Sequence, residues 1–155
     1  METINLKVSE IAISNKEVVI ETNGVGSCIV ICLYDKEAKI GGMSHSMLPS
    51  SKKYKDATAT KLGKYADEAI KNLYAKIIEM GGQPQRIKAK ISGGAEMFSH
   101  LSHTHFNVGK ENVESAKTTL ESLNIPIIGE SIGGSVGRMV SFDLSTCTMN
   151  VVIKI

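Results

Sequence analysis

The chain has 155 residues, of which 42% are hydrophobic and 22% charged, and its formal net charge is +2. This composition is typical of one globular domain with a substantial core, and it excludes a disordered chain. The low net charge and the 5% aromatic content exclude nucleic acid as a main partner, and no apolar run reaches the roughly 18 residues of a membrane span.

The N-terminus and the cysteines indicate a compartment. Residues Met1–Lys7 lack the basic start and the long apolar stretch of a signal peptide. Three cysteines are an odd number without metal-type pairing, which suits free thiols in a reducing environment. The expected location is therefore the cytoplasm.

The first half of the chain predicts three strands ahead of a lysine-rich loop. The β-branched run Val18–Ile20 predicts a strand that enters a glycine-rich turn. The segment Ile29–Tyr34 is apolar throughout, which is typical of a strand buried on both faces. Its expected hairpin partner is Ala38–Leu48, in which the Gly41–Gly42 pair would permit a bulge. The polar stretch Ser50–Lys61 predicts a surface loop.

The second half predicts two helices and four strands. Apolar residues at helical spacing predict a helix from Leu62 to Ile77, ended by glycines, and a second helix from Val113 to Leu123. The expected strands are Ile87–Ile91, Ile125–Ile128, Arg138–Phe142 and Met149–Ile155. Repeats and linkers are absent from the sequence. We therefore expect a single α+β domain over residues 1–155, with its helices on one face of a sheet system.

A candidate active site lies where a cysteine follows the glycine-rich turn. The segment Thr22-Asn23-Gly24-Val25-Gly26-Ser27-Cys28 leads into the second predicted strand. Such a turn leaves the backbone N–H groups of Ser27 and Cys28 free to bind a developing negative charge. His45 follows seventeen residues after Cys28, in the expected partner strand. A thiolate nucleophile needs a nearby base, so the pair predicts cysteine–histidine catalysis.

Each of these residues also has a structural interpretation. Cys28 could be a small buried hydrophobe, and His45 could be a core or interface histidine. Thr22 could be a β-former at a strand end, or its hydroxyl could orient the imidazole like the third member of a catalytic triad. Cys32 is expected in the core, whereas Cys147 lies near a turn and has no predicted role.

Three other motifs are candidates for a metal site or a nucleotide site. His100, His103 and His105 form a His-x-x-His-x-His motif that could bind zinc, although the stretch is typical of an exposed loop. The segments Ser92–Ala95 and Gly133–Arg138 match neither a phosphate loop nor a dinucleotide fingerprint. We interpret both as tight turns that let the backbone approach the active site or a partner.

Six motifs along the chain resemble those of one family. They are Thr22-x-Gly24-x-Gly26-Ser27-Cys28, Gly42-x-x-His45-x-Met47-Leu48-Pro49, Lys64-Tyr65-Ala66-Asp67, Gly93-Gly94-Ala95-x-Met97-Phe98, Gly109-x-x-Asn112-Val113 and Gly133-Gly134-x-x-Gly137-Arg138. In order and spacing they resemble the CheD family of chemoreceptor glutamine deamidases, from about Thr22 to Arg138. Glu111 departs from the pattern, because the family often has arginine at this position.

The resemblance implies a fold, an activity and a partner. The implied fold is a three-layer α/β/β sandwich, related to the catalytic domain of the cytotoxic necrotizing factor toxins. The implied activity is hydrolysis of glutamine side chains on methyl-accepting chemotaxis receptors to glutamate and ammonia, with Cys28, His45 and Thr22 as the catalytic residues. The implied partner is a CheC-type phosphatase, and no metal or organic cofactor is expected.

The implied chemistry also predicts features of the surface. Attack by the Cys28 thiolate on an amide gives a tetrahedral oxyanion, which backbone groups of Ser27 and Cys28 would stabilise, and then a thioester. Receptor glutamines lie along helical bundles, so we expect an open, shallow site. The candidates for its apolar rim, where receptor or phosphatase would bind, are Gly93, Gly94, Met97 and Phe98.

Two alternatives stay open from the sequence. The protein could be a non-catalytic module that binds receptors or the phosphatase, or it could be a thiol protease or acyl hydrolase. An active Cys28 should alkylate faster than Cys32 and Cys147, which distinguishes the first alternative. The product distinguishes the second, because deamidation leaves the peptide backbone intact.

Overall fold

The computed structural model describes residues 1–54, 61–96 and 107–154, and these ranges form nine strands and two α-helices. In chain order the elements are β1 (Thr3–Asn5), β2 (Ile11–Ser14), β3 (Val19–Val25), β4 (Ile29–Asp35), β5 (Ile40–Ser46), α1 (Ala66–Glu79), β6 (Lys88–Gly93), α2 (Val108–Ser122), β7 (Ile127–Ile132), β8 (Gly137–Asp143) and β9 (Thr148–Lys154). A short 3-10 turn at Pro84–Arg86 precedes β6.

The strands form two sheets that stack on each other. One sheet has the order β1-β3-β8-β9, and the other has the order β2-β5-β4-β6-β7. Both helices pack on the five-stranded sheet, on the side away from the four-stranded sheet. The α+β class and the three-layer α/β/β arrangement with helices on one face are therefore confirmed.

The central strand β4 explains why the layers stay together. All seven of its residues are buried. Ile29, Ile31 and Leu33 belong to the core between the sheet and the helices. Val30 and Cys32 alternate with them and belong to the core between the two sheets. Since successive side chains of a strand point to opposite faces, one apolar strand supplies both cores.

The two helices follow the predicted periodicity. In α1 the buried positions recur every three or four residues, and acidic Asp67 and Glu68 in the first turn suit the positive helix N-terminus. Gly81, with φ of 111°, ends this helix as predicted. Helix α2 begins at Val108, five residues before its predicted start, and its buried face includes Asn112 among small and apolar residues.

Two features of the N-terminal half differ from the sequence-based prediction. Strands β1 and β2 were absent from that prediction, because each is short and has little apolar alternation. The predicted bulge at Gly41–Gly42 is wrong, since β5 pairs with both of its neighbours without a register shift. These glycines instead permit close packing, because a Cβ on Gly42 would lie 2.6 Å from the carbonyl oxygen of Ala12.

This close packing predicts different effects for two glycine substitutions. Gly42→Ala should lower the free energy of unfolding by about 1–3 kcal/mol, because the new methyl group must displace the backbone of β2. In Gly129→Ala the nearest described atom to the new methyl group is Lys90 Cγ at 3.7 Å, so the free energy of unfolding should change by no more than about 0.5 kcal/mol. Urea denaturation of both variants measures the difference, and equal stabilities would contradict this account of the β2–β5 contact.

Candidate active site

A buried hydrogen bond joins the two sheets at one end of the sandwich. Thr22 lies in β3 of the four-stranded sheet, and His45 lies in β5 of the five-stranded sheet. The Thr22 hydroxyl oxygen is 2.7 Å from His45 Nδ1 and 2.8 Å from the carbonyl oxygen of Leu6. Both side chains are almost fully buried. The two residues that the sequence placed together are thus in direct contact.

The geometry of this contact assigns the histidine tautomer. A hydroxyl has one hydrogen, and the Leu6 carbonyl oxygen can only accept, so Thr22 donates its hydrogen to Leu6. Its oxygen must then accept a hydrogen bond from Nδ1–H of His45. Nε2 consequently carries the free lone pair. Within the described part of the chain, this atom is buried and has no hydrogen-bond partner.

The N-terminal segment of residues 6–10 holds His45 from the other side. The backbone N–H of Ser9 donates to the carbonyl oxygen of His45 at 2.7 Å, and the N–H of His45 donates to that of Glu10 at 3.2 Å. The same segment is tied to β3, because Leu6 N–H donates to the Glu21 carbonyl at 2.8 Å. This support is not predictable from the sequence, since residues 6–10 contain no recognisable motif.

Cys28 lies at the same end of the sheet as His45. It directly precedes β4, whose first residue, Ile29, pairs with Ser46, the neighbour of His45 in β5. Cys28 and His45 are therefore diagonal neighbours across the β4–β5 ladder. Cys28 is half-buried, whereas His45 is only 2% exposed. A reagent from solvent thus reaches the cysteine, while the histidine lies beneath the surface.

The turn before β4 has all its carbonyl groups bound. The Gly26 carbonyl oxygen accepts a hydrogen bond from the Ala95 N–H at 2.9 Å, and the Cys28 carbonyl oxygen accepts one from the Gly94 N–H at 2.8 Å. The Ser27 carbonyl oxygen, between them, accepts one from the side-chain amide of Asn112 at 2.8 Å. Within the described ranges, neither Ser27 nor Cys28 donates its own N–H to another residue. The turn thus has two backbone donors available for an oxyanion.

Burial keeps both reactive groups neutral. It raises the pKa of the Cys28 thiol above its usual value, an effect that the Cys28 backbone N–H partly offsets. Burial also lowers the pKa of the His45 imidazole. At neutral pH the resting pair is therefore a thiol and a neutral imidazole rather than a thiolate–imidazolium ion pair.

The glycines of two predicted turns support the cysteine segment. Gly93 and Gly94 have positive φ angles of 111° and 67°, and both are buried. A Cβ on Gly93 would collide with the Cys28 carbonyl, and the Gly93 carbonyl accepts a hydrogen bond from Gly133 at 2.9 Å. Both turns thus approach the candidate site through their backbone. Of the predicted rim, Met97 and Phe98 lie outside the described residues.

The structure gives no role at the candidate site to the remaining cysteines, and the remaining histidines are not among the described residues. Cys32 and Cys147 are buried, and burial raises the pKa of both thiols. The three histidines at positions 100, 103 and 105 lie outside the described residues. Among the residues that the structure describes, no cluster of three or more metal-ligating side chains occurs, and no helix is long and apolar enough to span a membrane.

Glu111, where the sequence departs from the family pattern, has a local structural role. Its carboxylate accepts hydrogen bonds from Lys53 Nζ at 2.5 Å and from the Tyr54 hydroxyl at 2.7 Å. The bond from Lys53 is the main cause of its lowered pKa. These contacts fasten the segment after β5 to the first turn of α2, and they are exposed enough to contribute little stability.

Two further polar residues at the site were not assigned a role from the sequence. Asn112 projects from α2 and donates from Nδ2 to the carbonyl oxygens of Ser27 and Met47. Arg138 is buried beside β3, and its guanidinium donates to the Gly133 carbonyl at 3.0 Å. The available signal was the polarity of Asn112 itself, which interrupts the apolar face of an amphipathic helix.

Comparison with known proteins assigns the family. The profile described as CheD chemotactic sensory transduction matches residues 47–153, which is more than half of the chain. This chain belongs to the CheD family. The resemblance seen in the sequence motifs is thereby confirmed.

The CheD relatives extend over nearly the whole chain, including the segment from Thr22 to His45. A probable chemoreceptor glutamine deamidase CheD 1 of Methanosarcina acetivorans is 41% identical over 149 residues, covering 95% of this chain and 88% of the relative. The chemoreceptor glutamine deamidase CheD of Thermotoga maritima is 40% identical over 139 residues, covering 90% and 84%. That of Bacillus subtilis is 38% identical over 149 residues, covering 96% and 89%.

The buried imidazole predicts how stability depends on pH. The pKa of His45 is lower in the folded than in the unfolded state, so the unfolded state binds the proton more readily. The resulting stabilisation is complete above the ordinary pKa of 6.5 and is lost as the pH falls through the lowered folded value. His45→Asn, which removes the titrating group, should give a flatter decline in the free energy of unfolding between about pH 7.5 and about pH 5.5. Parallel curves for the two proteins would contradict the burial of a neutral imidazole.

Proposed function

We propose that this protein is a protein-glutamine glutaminase that hydrolyses glutamine side chains of chemotaxis receptors to glutamate and ammonia. In this proposal residues 1–155 act as a single domain in the cytoplasm. Relatives at 38–41% identity named chemoreceptor glutamine deamidases support the substrate class. The observation that carries the chemistry is the Thr22–His45 contact, which leaves Nε2 of His45 as an unpaired acceptor at the end of the sheet where Cys28 lies.

In the proposed first step, Cys28 attacks the side-chain amide carbon of the glutamine. As the S–C bond forms, the thiol proton passes to Nε2 of His45, and the carbonyl electron pair moves to oxygen. Proton transfer during attack suits a neutral resting pair, because neither group is ionised beforehand at neutral pH. The N–H groups of Ser27 and Cys28 bind the resulting oxyanion, each donor contributing roughly 3 kcal/mol.

The next steps release ammonia and restore the enzyme. The tetrahedral intermediate expels nitrogen, which takes the proton from the His45 imidazolium and leaves as ammonia, so Cys28 carries a thioester. Neutral His45 then removes a proton from water, which attacks the thioester carbon. Breaking of the C–S bond releases glutamate, and the proton returns to sulfur. Every step uses groups of the chain, the substrate and water.

Thr22 has a separate function in this proposal. When His45 takes up the proton, Nδ1–H of the imidazolium still needs an acceptor, and the Thr22 oxygen supplies it. Because Thr22 is held in turn by the Leu6 carbonyl, its oxygen cannot turn away. This arrangement keeps the ring in the orientation and tautomer in which Nε2 faces the thiol.

The partner interactions are proposals of the same kind. Receptor helices are the proposed substrates, and an open site at the half-buried Cys28 suits them. Binding of a CheC-type phosphatase at the rim of Gly93, Gly94, Met97 and Phe98 stays a prediction from the resemblance. The buried backbone of Gly93 and Gly94 contacts the cysteine segment, so any contribution of these two glycines to binding is indirect.

Replacement of the cysteine tests the nucleophile. Cys28→Ala should lower ammonia release from a receptor fragment by at least about 10⁴-fold, because no other group can form the thioester. Cys28→Ser should be nearly as inactive, since an alkoxide forms far less readily than a thiolate. Cys147→Ala serves as the control and should keep its activity. Turnover by folded Cys28→Ala, or a receptor cleaved in its backbone rather than deamidated, would refute the proposal.

Replacement of the threonine tests the orientation of the imidazole. Thr22→Val keeps the side-chain shape and removes the hydroxyl, so kcat should fall about 10-fold to 100-fold, as a hydrogen bond to a charged group is worth roughly 1.5–3 kcal/mol. Thr22→Ser keeps the hydroxyl and should retain most of the activity. Steady-state kinetics of the three proteins measure the effect. If the valine variant matched the wild type, the hydroxyl would have no part in turnover.

A further inference from the structure

Asn112 connects the two chain segments that carry the proposed nucleophile and base. Its side chain is fully buried on α2. Its Nδ2 donates to the carbonyl oxygen of Ser27 at 2.8 Å and to that of Met47 at 3.0 Å. A side-chain amide nitrogen has two hydrogens, so both are used in these bonds. One planar group thus fixes the residue directly before Cys28 and the residue two positions after His45.

The bond to Ser27 also fixes the direction of the Cys28 N–H. The chain has no cis peptide bond among its described residues, so the Ser27–Cys28 peptide is trans and planar. In a trans peptide the C=O and N–H groups point in opposite directions. Because the Ser27 carbonyl points to Asn112, the Cys28 N–H points away from α2. This N–H has no partner in another residue within the described ranges, and it partly offsets the rise in the thiol pKa that burial causes.

Apolar packing alone gives no reason for an asparagine at this position, because only its Nδ2 bonds to Ser27 and Met47 use the amide group. Its neighbours on the buried face of α2, Ala116 and Leu120, pack in the core between the helices and the sheet. The Oδ1 atom of Asn112 is buried and has no hydrogen-bond partner within the described residues, which is an unfavourable state for a polar atom. The two N–H groups of Nδ2, which bond to the carbonyl oxygens of Ser27 and Met47, are the part of the side chain that contacts the site.

We propose that Asn112 is a positioning residue that turns the Cys28 N–H toward the oxyanion by holding the Ser27 carbonyl on the opposite side. Its second bond, to the Met47 carbonyl oxygen, holds this peptide at a fixed position relative to β5, the strand that contains His45. The inference deepens the proposed function and rests on it. Asn112 does not touch the substrate, and its effect passes entirely through the two backbone carbonyls.

The test combines two readouts on the full chain. The first is the pH profile of Cys28 alkylation by iodoacetamide, with the modified residue identified by mass spectrometry. The second is kcat and KM for deamidation of a receptor fragment. The variants are Asn112→Ala and the milder Asn112→Ser, which keeps one donor. Thr119→Ala is the control, because it also truncates a buried polar side chain of α2, seven residues further along the helix, and that side chain makes no hydrogen bond to the turn among the described residues.

In Asn112→Ala the alkylation profile should move to higher pH, with a rate at neutral pH about tenfold lower, because the Ser27–Cys28 peptide is no longer held where its N–H offsets the rise in the thiol pKa. The value of kcat should fall about 10-fold to 100-fold with little change in KM, because a misdirected oxyanion donor loses part of the roughly 100-fold to 1,000-fold that a removed donor costs. Asn112→Ser should lie between this variant and the wild type, and it provides the same test if Asn112→Ala does not fold. Thr119→Ala should leave the alkylation profile unchanged.

The outcomes separate this inference from the proposed function. An unshifted alkylation profile and an unchanged kcat in a folded Asn112 variant would overturn it. An equal shift in Thr119→Ala would overturn it too, because the effect would then come from general destabilisation of α2. A shifted profile in a protein without deamidase activity would support the positioning role and refute the proposed function instead.

Discussion

Burial of β4 on both faces is the constraint on which the rest of the structure depends. Its odd-numbered residues from Ile29 to Leu33 pack under the helices, and the even-numbered ones pack against the four-stranded sheet. An unpaired charge within this strand would lie in one core or the other, and the one charged residue of β4, Asp35, lies at its last position and is paired with Arg86. The candidate nucleophile Cys28 precedes the first residue of the strand, where it is half-buried and the N–H groups of Ser27 and Cys28 have no partner in another residue within the described ranges.

The second constraint is the hydrogen bond between Thr22 and His45, which crosses the apolar core between the two sheets. A buried imidazole is tolerated there because Thr22 satisfies Nδ1 and Leu6 satisfies Thr22, so only Nε2 stays without a partner among the described residues. The chain of bonds runs from the N-terminal segment through β3 to β5. The order of elements in the sheets therefore matters for the site, since β1 and β3 must lie next to each other to place the Leu6 carbonyl.

Features with a local cause were predictable from the sequence, whereas those with a distant cause were not. The run Ile29–Tyr34 indicated a strand buried on two sides, and helical spacing indicated α1, because both patterns are written in adjacent residues. Thr22, His45 and Cys28 were selected from motif and spacing. By contrast, the support from Ser9 and Asn112 depends on bonds to residues 36 and 85 positions away, which no local pattern encodes.

The neutral state of the Cys28 thiol has a consequence for its chemical lifetime. Oxidation by peroxides requires the thiolate, and thiols of lowered pKa are the ones that redox sensors use. Burial raises the pKa of Cys28, so its sulfur is mainly a thiol at neutral pH. If Cys28 is the nucleophile that we propose, this half-buried thiol reacts more slowly with peroxides between encounters with substrate than a thiolate of lowered pKa would.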